Sequence, residues 1–143
     1  MDDDDLRRGK PTLHKVHGEN IAVLAGDALT ALAFDLVSRA EDCRLIRLLA
    51  NAIGTEGMIG GQVADVMSVN KVEITEDDVM FIHLRKTAAL IRASLEMGAL
   101  TAGAGDAERT VAGEYGTRIG LAFQIVDDIL DIESSDEVLG KDV

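Results

Sequence analysis

The chain has 143 residues; 47% are hydrophobic, only 3% are aromatic, and there is a single proline. This composition favours packed helices over a β-rich fold, whose strands and turns use more aromatic residues and prolines. The formal net charge is −12, and no basic cluster is large enough to follow a nucleic-acid backbone, so we expect no nucleic-acid partner. The single cysteine, Cys43, excludes an internal disulfide and indicates a reducing compartment, so we expect a cytoplasmic protein.

In chain order, the sequence predicts one domain, residues 1–143, with a polar start followed by helices. Residues 1–18 are polar and contain Gly9, Pro11 and Gly18, which indicates a loop. Apolar residues then recur at helical spacing in four segments, over about 19–40, 45–66, 75–102 and 106–132. Residues 134–143 are again polar and are predicted to form a loop.

The ends of two of these segments carry specific signals. Thr75 followed three residues later by Asp78 resembles a capping box, and Asp106 after Gly103 and Gly105 is a candidate N-cap. Four helical segments within residues 19–133 favour an all-α, antiparallel helical bundle. No run of about 18 apolar residues is free of charge, so no membrane span is expected.

An unusual group of acids lies in the fourth segment, in the sequence FQIVDDILDI. At about 100° per residue, Gln124 and three aspartates share about a third of the helix circumference; the aspartates are Asp127, Asp128 and Asp131. Their neighbours are almost all apolar, so mutual repulsion and desolvation disfavour the arrangement unless a cation neutralises it. The stripe therefore indicates a hard divalent ion such as Mg²⁺, with a solvated acidic face as the alternative.

A second acidic group opens the chain, in the sequence MDDDDLRRGKPT. It combines carboxylate oxygens, which bind metals, with the guanidinium groups of Arg7 and Arg8, which suit phosphate. From composition alone, a solvated terminus, or the remnant of an acidic tag, is the better interpretation.

The two acidic segments together resemble the two aspartate-rich motifs of the trans-prenyl diphosphate synthases, the farnesyl and geranylgeranyl diphosphate synthase family. Further similar segments occur between and after them in the same order, at residues 14–29, 57–65, 81–91 and 139–141. The resemblance covers essentially the whole chain. It implies a helical bundle of the isoprenoid synthase type, here incomplete at both ends, with a homodimeric assembly.

The resemblance also implies an activity: head-to-tail condensation of isopentenyl diphosphate with an allylic diphosphate (dimethylallyl, geranyl or farnesyl), assisted by Mg²⁺ or, as a substitute, Mn²⁺. The implied metal ligands are Asp2, Asp127, Asp128 and Asp131. The implied substrate-binding residues are Arg7, Arg8, Lys86, Thr87, Gln124 and Lys141. Of these, Lys86, Thr87, Gln124 and Asp127 would be catalytic, and Gln62 with Asp65 would support the site.

The chain is about half the length usual in this family and is similar to an internal part of it. The alternative function is therefore a catalytically incompetent fragment, or a partner subunit that regulates a full-length synthase. Such subunits lack aspartates of the motifs, whereas Asp127, Asp128 and Asp131 are all present here, which favours the enzyme.

Overall fold

The computed structural model describes residues 3–69, 71 and 73–133. A short antiparallel hairpin comes first, with strands β1 (Leu6–Arg7) and β2 (Lys10–Pro11). The helices that follow are α1 (Leu13–His17), α2 (Glu19–Ser38), α3 (Cys43–Ile53), α4 (Met58–Ser68), α5 (Glu76–His83), α6 (Ala89–Thr101) and α7 (Asp106–Glu133). A π-helical turn, Leu84–Ala88, joins α5 directly to α6.

The chain divides into two compact units. The first consists of the described parts of Met1–Ala40 and Val126–Val143, and the second is Glu41–Ile125.

In the first unit, the hairpin turn is set by two residues with positive φ, Arg8 at 53° and Gly9 at 72°. Two such residues between the paired Arg7 and Lys10 make the type I′ turn that matches the twist of the strands. The hydroxyl of Thr12 donates to the carbonyl of Asp4 at 2.7 Å and ties the acidic segment to the start of α1. The prediction of a loop over residues 1–18 was therefore wrong for this hairpin and for α1.

The long apolar helix α2 confirms the first predicted helical segment, and none of its residues is buried. Most of its large apolar side chains are half or more exposed, namely Ile21, Val23, Leu24, Leu29, Leu32 and Leu36, whereas Phe34 and Val37 are partly buried. By length and composition alone α2 could cross a membrane, although it contains Asp27 and Asp35. Because core helices of soluble proteins meet the same criterion, this observation is weak evidence for a span.

In the second unit, α3 and α6 supply most of the buried apolar side chains. Leu45, Leu49 and Ala52 of α3 are each 6% exposed, and Ala93 and Leu100 of α6 are also buried. The Asp42 side chain caps α3 by accepting from the backbone N–H of Arg44 at 2.9 Å. The Arg44 guanidinium and this backbone bond together lower the pKa of Asp42 from 3.8 to about 2.

The predicted capping box of α5 is confirmed. The Thr75 side chain accepts from the Asp78 backbone N–H, and the Asp78 carboxylate accepts from the Thr75 backbone N–H. A hydrogen bond from Lys71 and those from Thr75 lower the pKa of Asp78 from 3.8 to about 2.

Three details of the predicted helices differ from the structure. The 45–66 segment is two helices, because the chain turns at Gly54–Gly57. The 75–102 segment is interrupted by the π-helical turn. Asp106 is the first residue of α7 and not its N-cap, since the carbonyl of Gly105 accepts the first helical bond, from Arg109. Glu108 completes this helix start by accepting from the Gly105 N–H at 2.9 Å.

Candidate functional site

The π-helical turn carries two of the predicted site residues, Lys86 and Thr87. A π turn forms where one extra residue widens an α-helix, and such turns occur frequently at functional sites. Here two glycines allow neighbouring helices to reach its backbone. A Cβ atom on Gly61 of α4 would lie 2.2 Å from the backbone nitrogen of Lys86. A Cβ atom on Gly120 of α7 would lie 2.5 Å from the Cα of Ala88.

The same two helices hold the side chains of the turn. Lys86 Nζ lies 2.6 Å from Asp65 Oδ2 on α4, and these side chains are only 25% and 31% exposed. Thr87 Oγ1 donates to Gln124 Oε1 on α7 at 2.7 Å. The structure therefore brings together three predicted residues, Lys86, Thr87 and Gln124, with Asp65 as the anchor of the lysine.

This cluster can bind an anionic group. Lys86 presents a localised positive charge whose position is fixed by a charge-assisted hydrogen bond. The Thr87 hydroxyl and the Gln124 amide provide uncharged polar groups next to it. On the same turn, the Arg85 guanidinium lies 3.8 Å from the centroid of the Phe81 ring, a cation–π contact that restrains a second positive charge.

The predicted metal ligands Asp127, Asp128 and Asp131 lie in the last turns of α7, in the first unit, and all three are half-buried. Carboxylate oxygens are the donors that Mg²⁺ prefers, and it commonly takes only one or two of them and fills its shell with water and phosphate oxygens. The donor type therefore fits. Within residues 3–69, 71 and 73–133, no three His, Cys, Asp or Glu side chains converge to hold a metal ion by themselves.

The first acidic segment is organised by α1. Lys15 Nζ lies 2.6 Å from Asp5 Oδ1 and 3.7 Å from Asp3 Oδ1. The predicted phosphate-binding residues Arg7 and Arg8 are exposed on the hairpin. Arg8 adopts a left-handed backbone conformation that is uncommon for a residue with a side chain. Two further predicted residues, Asp2 and Lys141, lie outside the described residues.

The resemblance implies a supporting role for Asp65, but the partner of its carboxylate could not be predicted. Residues 65 and 86 belong to different predicted helices, so helical periodicity cannot pair them. The available signal was the sequence GGQVAD, in which Gly61 and Asp65 share a helix face at a four-residue spacing. The glycine permits the close approach, and the aspartate meets the lysine.

Comparison with known proteins agrees with the fold. The family model described as polyprenyl synthetase matches residues 1–143. A geranylgeranyl pyrophosphate synthase of Catharanthus roseus chloroplasts is 48% identical over 99% of this chain, which covers 42% of that protein. The chain belongs to the polyprenyl synthetase family.

Two solved structures are similar in fold. One is a geranyltransferase of Helicobacter pylori in complex with magnesium and isoprenyl diphosphate, with a TM-score of 0.88 and 40% identity, covering 99% of this chain and 48% of that one. The other is a polyprenyl synthase of Caulobacter crescentus with calcium and isoprenyl diphosphate, with a TM-score of 0.92 and 35% identity, covering 99% and 42%. The all-α fold is confirmed, and the chain spans about half the length of the relatives it matches.

Proposed function

We propose that the chain acts in the head-to-tail condensation of isopentenyl diphosphate with an allylic diphosphate (dimethylallyl, geranyl or farnesyl). The observation that carries the proposal is the anchored Lys86–Thr87 turn, in a member of the polyprenyl synthetase family. A cation held against a helix turn suits a substrate whose reacting end is a diphosphate.

Lys86 would bind the allylic diphosphate and reduce the negative charge that accumulates as the carbon–oxygen bond breaks. Asp65 would keep the ammonium in place. The Thr87 hydroxyl and the Gln124 amide would orient the allylic carbons for attack by the isopentenyl double bond. Arg7 and Lys141 would bind the allylic diphosphate, and Arg8 would bind isopentenyl diphosphate.

The reaction needs no reagent beyond the two substrates. The allylic carbon loses diphosphate and forms a new bond to the terminal carbon of isopentenyl diphosphate. The resulting tertiary cation then loses a proton, which the released diphosphate accepts. The apolar side chains of the bundle would exclude water, which otherwise competes for the cation.

The relatives' complexes with magnesium or calcium support a divalent metal requirement. Asp2, Asp127, Asp128 and Asp131 would hold Mg²⁺, for which Mn²⁺ would substitute. When bound, the metal supplies positive charge that stabilises the departing diphosphate.

The assembly we propose is a homodimer that binds these two small substrates and no nucleic acid. Its support is the row of exposed large apolar side chains on α2, among them Leu24, Leu29 and Leu32. Absence of a membrane span and cytoplasmic localisation stay predictions from the sequence.

The direct test is prenyl transfer by the purified chain with radiolabelled isopentenyl diphosphate, an allylic diphosphate and Mg²⁺. We expect labelled product from the wild type, and at least a hundredfold less from Asp127→Ala. The matched control is Asp35→Ala, which removes an exposed aspartate of α2 and should keep wild-type activity.

The regulatory alternative predicts a different result. A non-catalytic partner would form no product alone and would change the rate of an added full-length family member. Product that forms equally with Asp127→Ala would contradict the proposed site.

A further inference from the structure

A cavity of about 400 Å³ lies within the unit Glu41–Ile125, beside α3, α6 and the start of α7. Its charged lining residues are Arg44, Arg47, Arg92, Arg109, Glu96 and Asp106. None of the residues proposed for prenyl transfer lines it.

The charge of this cavity is opposite to that of the chain. Four guanidinium groups and two carboxylates line it, in a protein with a formal net charge of −12. A third carboxylate, that of Asp42, pairs with Arg44. Like charges repel, so such a concentration of arginines is disfavoured unless an anion compensates it. The cavity is thus a local site of positive potential.

Internal ion pairs compensate three of the four arginines, with pairs of different strength. The Arg44 guanidinium lies 2.7 Å from Asp42 Oδ2. Arg92 Nε lies 2.7 Å from Glu96 Oε1, and Arg109 pairs with Asp106, whose side chain is 94% exposed. A pair exposed to this extent is weak, so a more highly charged anion can compete for the guanidinium. Arg47 makes no ion pair with any residue that the structure describes.

The apolar end of the cavity continues along α3 and α6. An adjoining space of about 240 Å³ shares Leu48, Asn51, Arg92 and Glu96 with the first, and its other lining residues are Ala52, Ala89 and Ala93. Alanine side chains leave room between two packed helices without adding polar groups. The combined space is therefore lined by arginines at one end and by alanines at the other, with Arg92, Glu96 and Asn51 where the two parts meet.

We infer that this cavity binds a small amphiphilic anion, with a phosphate-class head at the arginines and a short hydrocarbon part along the alanines. Guanidinium groups bind phosphate oxygens through paired hydrogen bonds, which explains arginine in place of lysine. The combined volume lies in the range of small-molecule sites. This inference uses neither the residues nor the metal of the proposed prenyl transfer.

The test is isothermal titration of the full chain in EDTA, which removes divalent metal, with inorganic phosphate and with hexyl phosphate as probes. Hexyl phosphate should bind at least tenfold more tightly than inorganic phosphate, because burying its methylene groups adds affinity to the same head. The variant Arg47→Gln with Arg92→Gln should lose roughly tenfold in affinity for both probes.

The control is Arg39→Gln with Arg118→Gln, which changes the net charge equally at exposed sites outside the cavity. It should bind both probes as the wild type does. An equal loss in the control would mean non-specific attraction and would overturn the inference. Absence of binding at millimolar probe, or equal affinity for the two probes, would overturn it as well. Circular dichroism spectra of all variants would show that each is folded.

Discussion

At the scale of single residues, the Lys86–Asp65 pair decides how the candidate site is organised. The side chains of Lys86 and Asp65 are 25% and 31% exposed, and Lys86 Nζ lies 2.6 Å from Asp65 Oδ2. An ion pair buried to this extent stabilises the fold more than a surface ion pair does, because water screens the attraction less. Removing only one partner leaves a half-buried charge without compensation.

A double-mutant cycle measures this interaction. We expect a coupling free energy of about 1 kcal/mol between Asp65→Asn and Lys86→Met in urea unfolding, between the values for exposed and buried pairs. The matched control is Glu114→Gln with Arg118→Met on α7, a pair 3.9 Å apart whose side chains are 64% and 82% exposed. Its coupling should be close to zero, and a Lys86–Asp65 coupling that is no larger would contradict the anchoring role.

At the scale of elements, two glycines allow α4 and α7 to approach the π-helical turn. Gly61→Ala would place a methyl group against the Lys86 backbone, which cannot move away as a flexible side chain can. We expect it to destabilise the protein by about 1–3 kcal/mol, the usual range for overpacking. Urea unfolding followed by circular dichroism measures the change.

The matched control for that substitution is Gly98→Ala on α6, where a new Cβ meets nothing within 4 Å. Because alanine favours helices over glycine, this change should stabilise the protein by up to about 1 kcal/mol. If both alanines had the same effect, close approach at Gly61 would not be the reason for that glycine.

The start of α5 gives a prediction about pH. The folded-state pKa of Asp78 is about 2, below its usual 3.8, so its contribution to stability is complete above pH 4 and is lost as the pH falls towards 2. Thermal unfolding between pH 5 and pH 2 should show this loss in the wild type and a smaller one in Asp78→Asn. Asp77→Asn, a neighbouring exposed acid, should follow the wild-type curve, and identical curves for all three proteins would contradict the capping role.

The elements differ in how far the sequence predicts them. The helix α2 and the capping box at Thr75 follow from signals within a few residues, namely apolar spacing and cap chemistry. The hairpin at Arg8–Gly9 was missed because Arg-Gly is a weaker turn signal than Asn-Gly or Asp-Gly. The π-helical turn was missed because periodicity within α5 and α6 does not show an inserted residue; its position depends on Gly61 and Gly120, which are distant in sequence.

The candidate site likewise contains features that local sequence signals predict and features that they do not. The acidic stripe on α7 was predicted from helical spacing alone, since Asp127, Asp128 and Asp131 lie within one and a half turns. The ion pair between Asp65 and Lys86 and the hydrogen bond between Thr87 and Gln124 join residues 21 and 37 positions apart. Contacts of this kind depend on tertiary packing and cannot be derived from local patterns.

At the scale of the whole molecule, the exposed apolar side of α2 is the main feature that one chain leaves unexplained. If a homodimer covers it, Leu32→Asp should produce monomers, because the substitution would bury a charge in the interface. Light scattering after gel filtration gives the mass directly. Asp35→Asn on the same helix is the control and should leave the mass unchanged; a wild-type monomer at micromolar concentration would contradict the homodimer.

We propose that the anchored Lys86–Thr87 turn binds an allylic diphosphate. The most direct measurement is isothermal titration of the chain with farnesyl diphosphate in Mg²⁺, for the wild type, Lys86→Gln and Lys71→Gln. We predict Mg²⁺-dependent binding by the wild type and Lys71→Gln, and at least tenfold weaker binding by Lys86→Gln, since a charged hydrogen bond to phosphate is lost. Equal affinities for all three proteins, or no binding by the wild type, would contradict the claim.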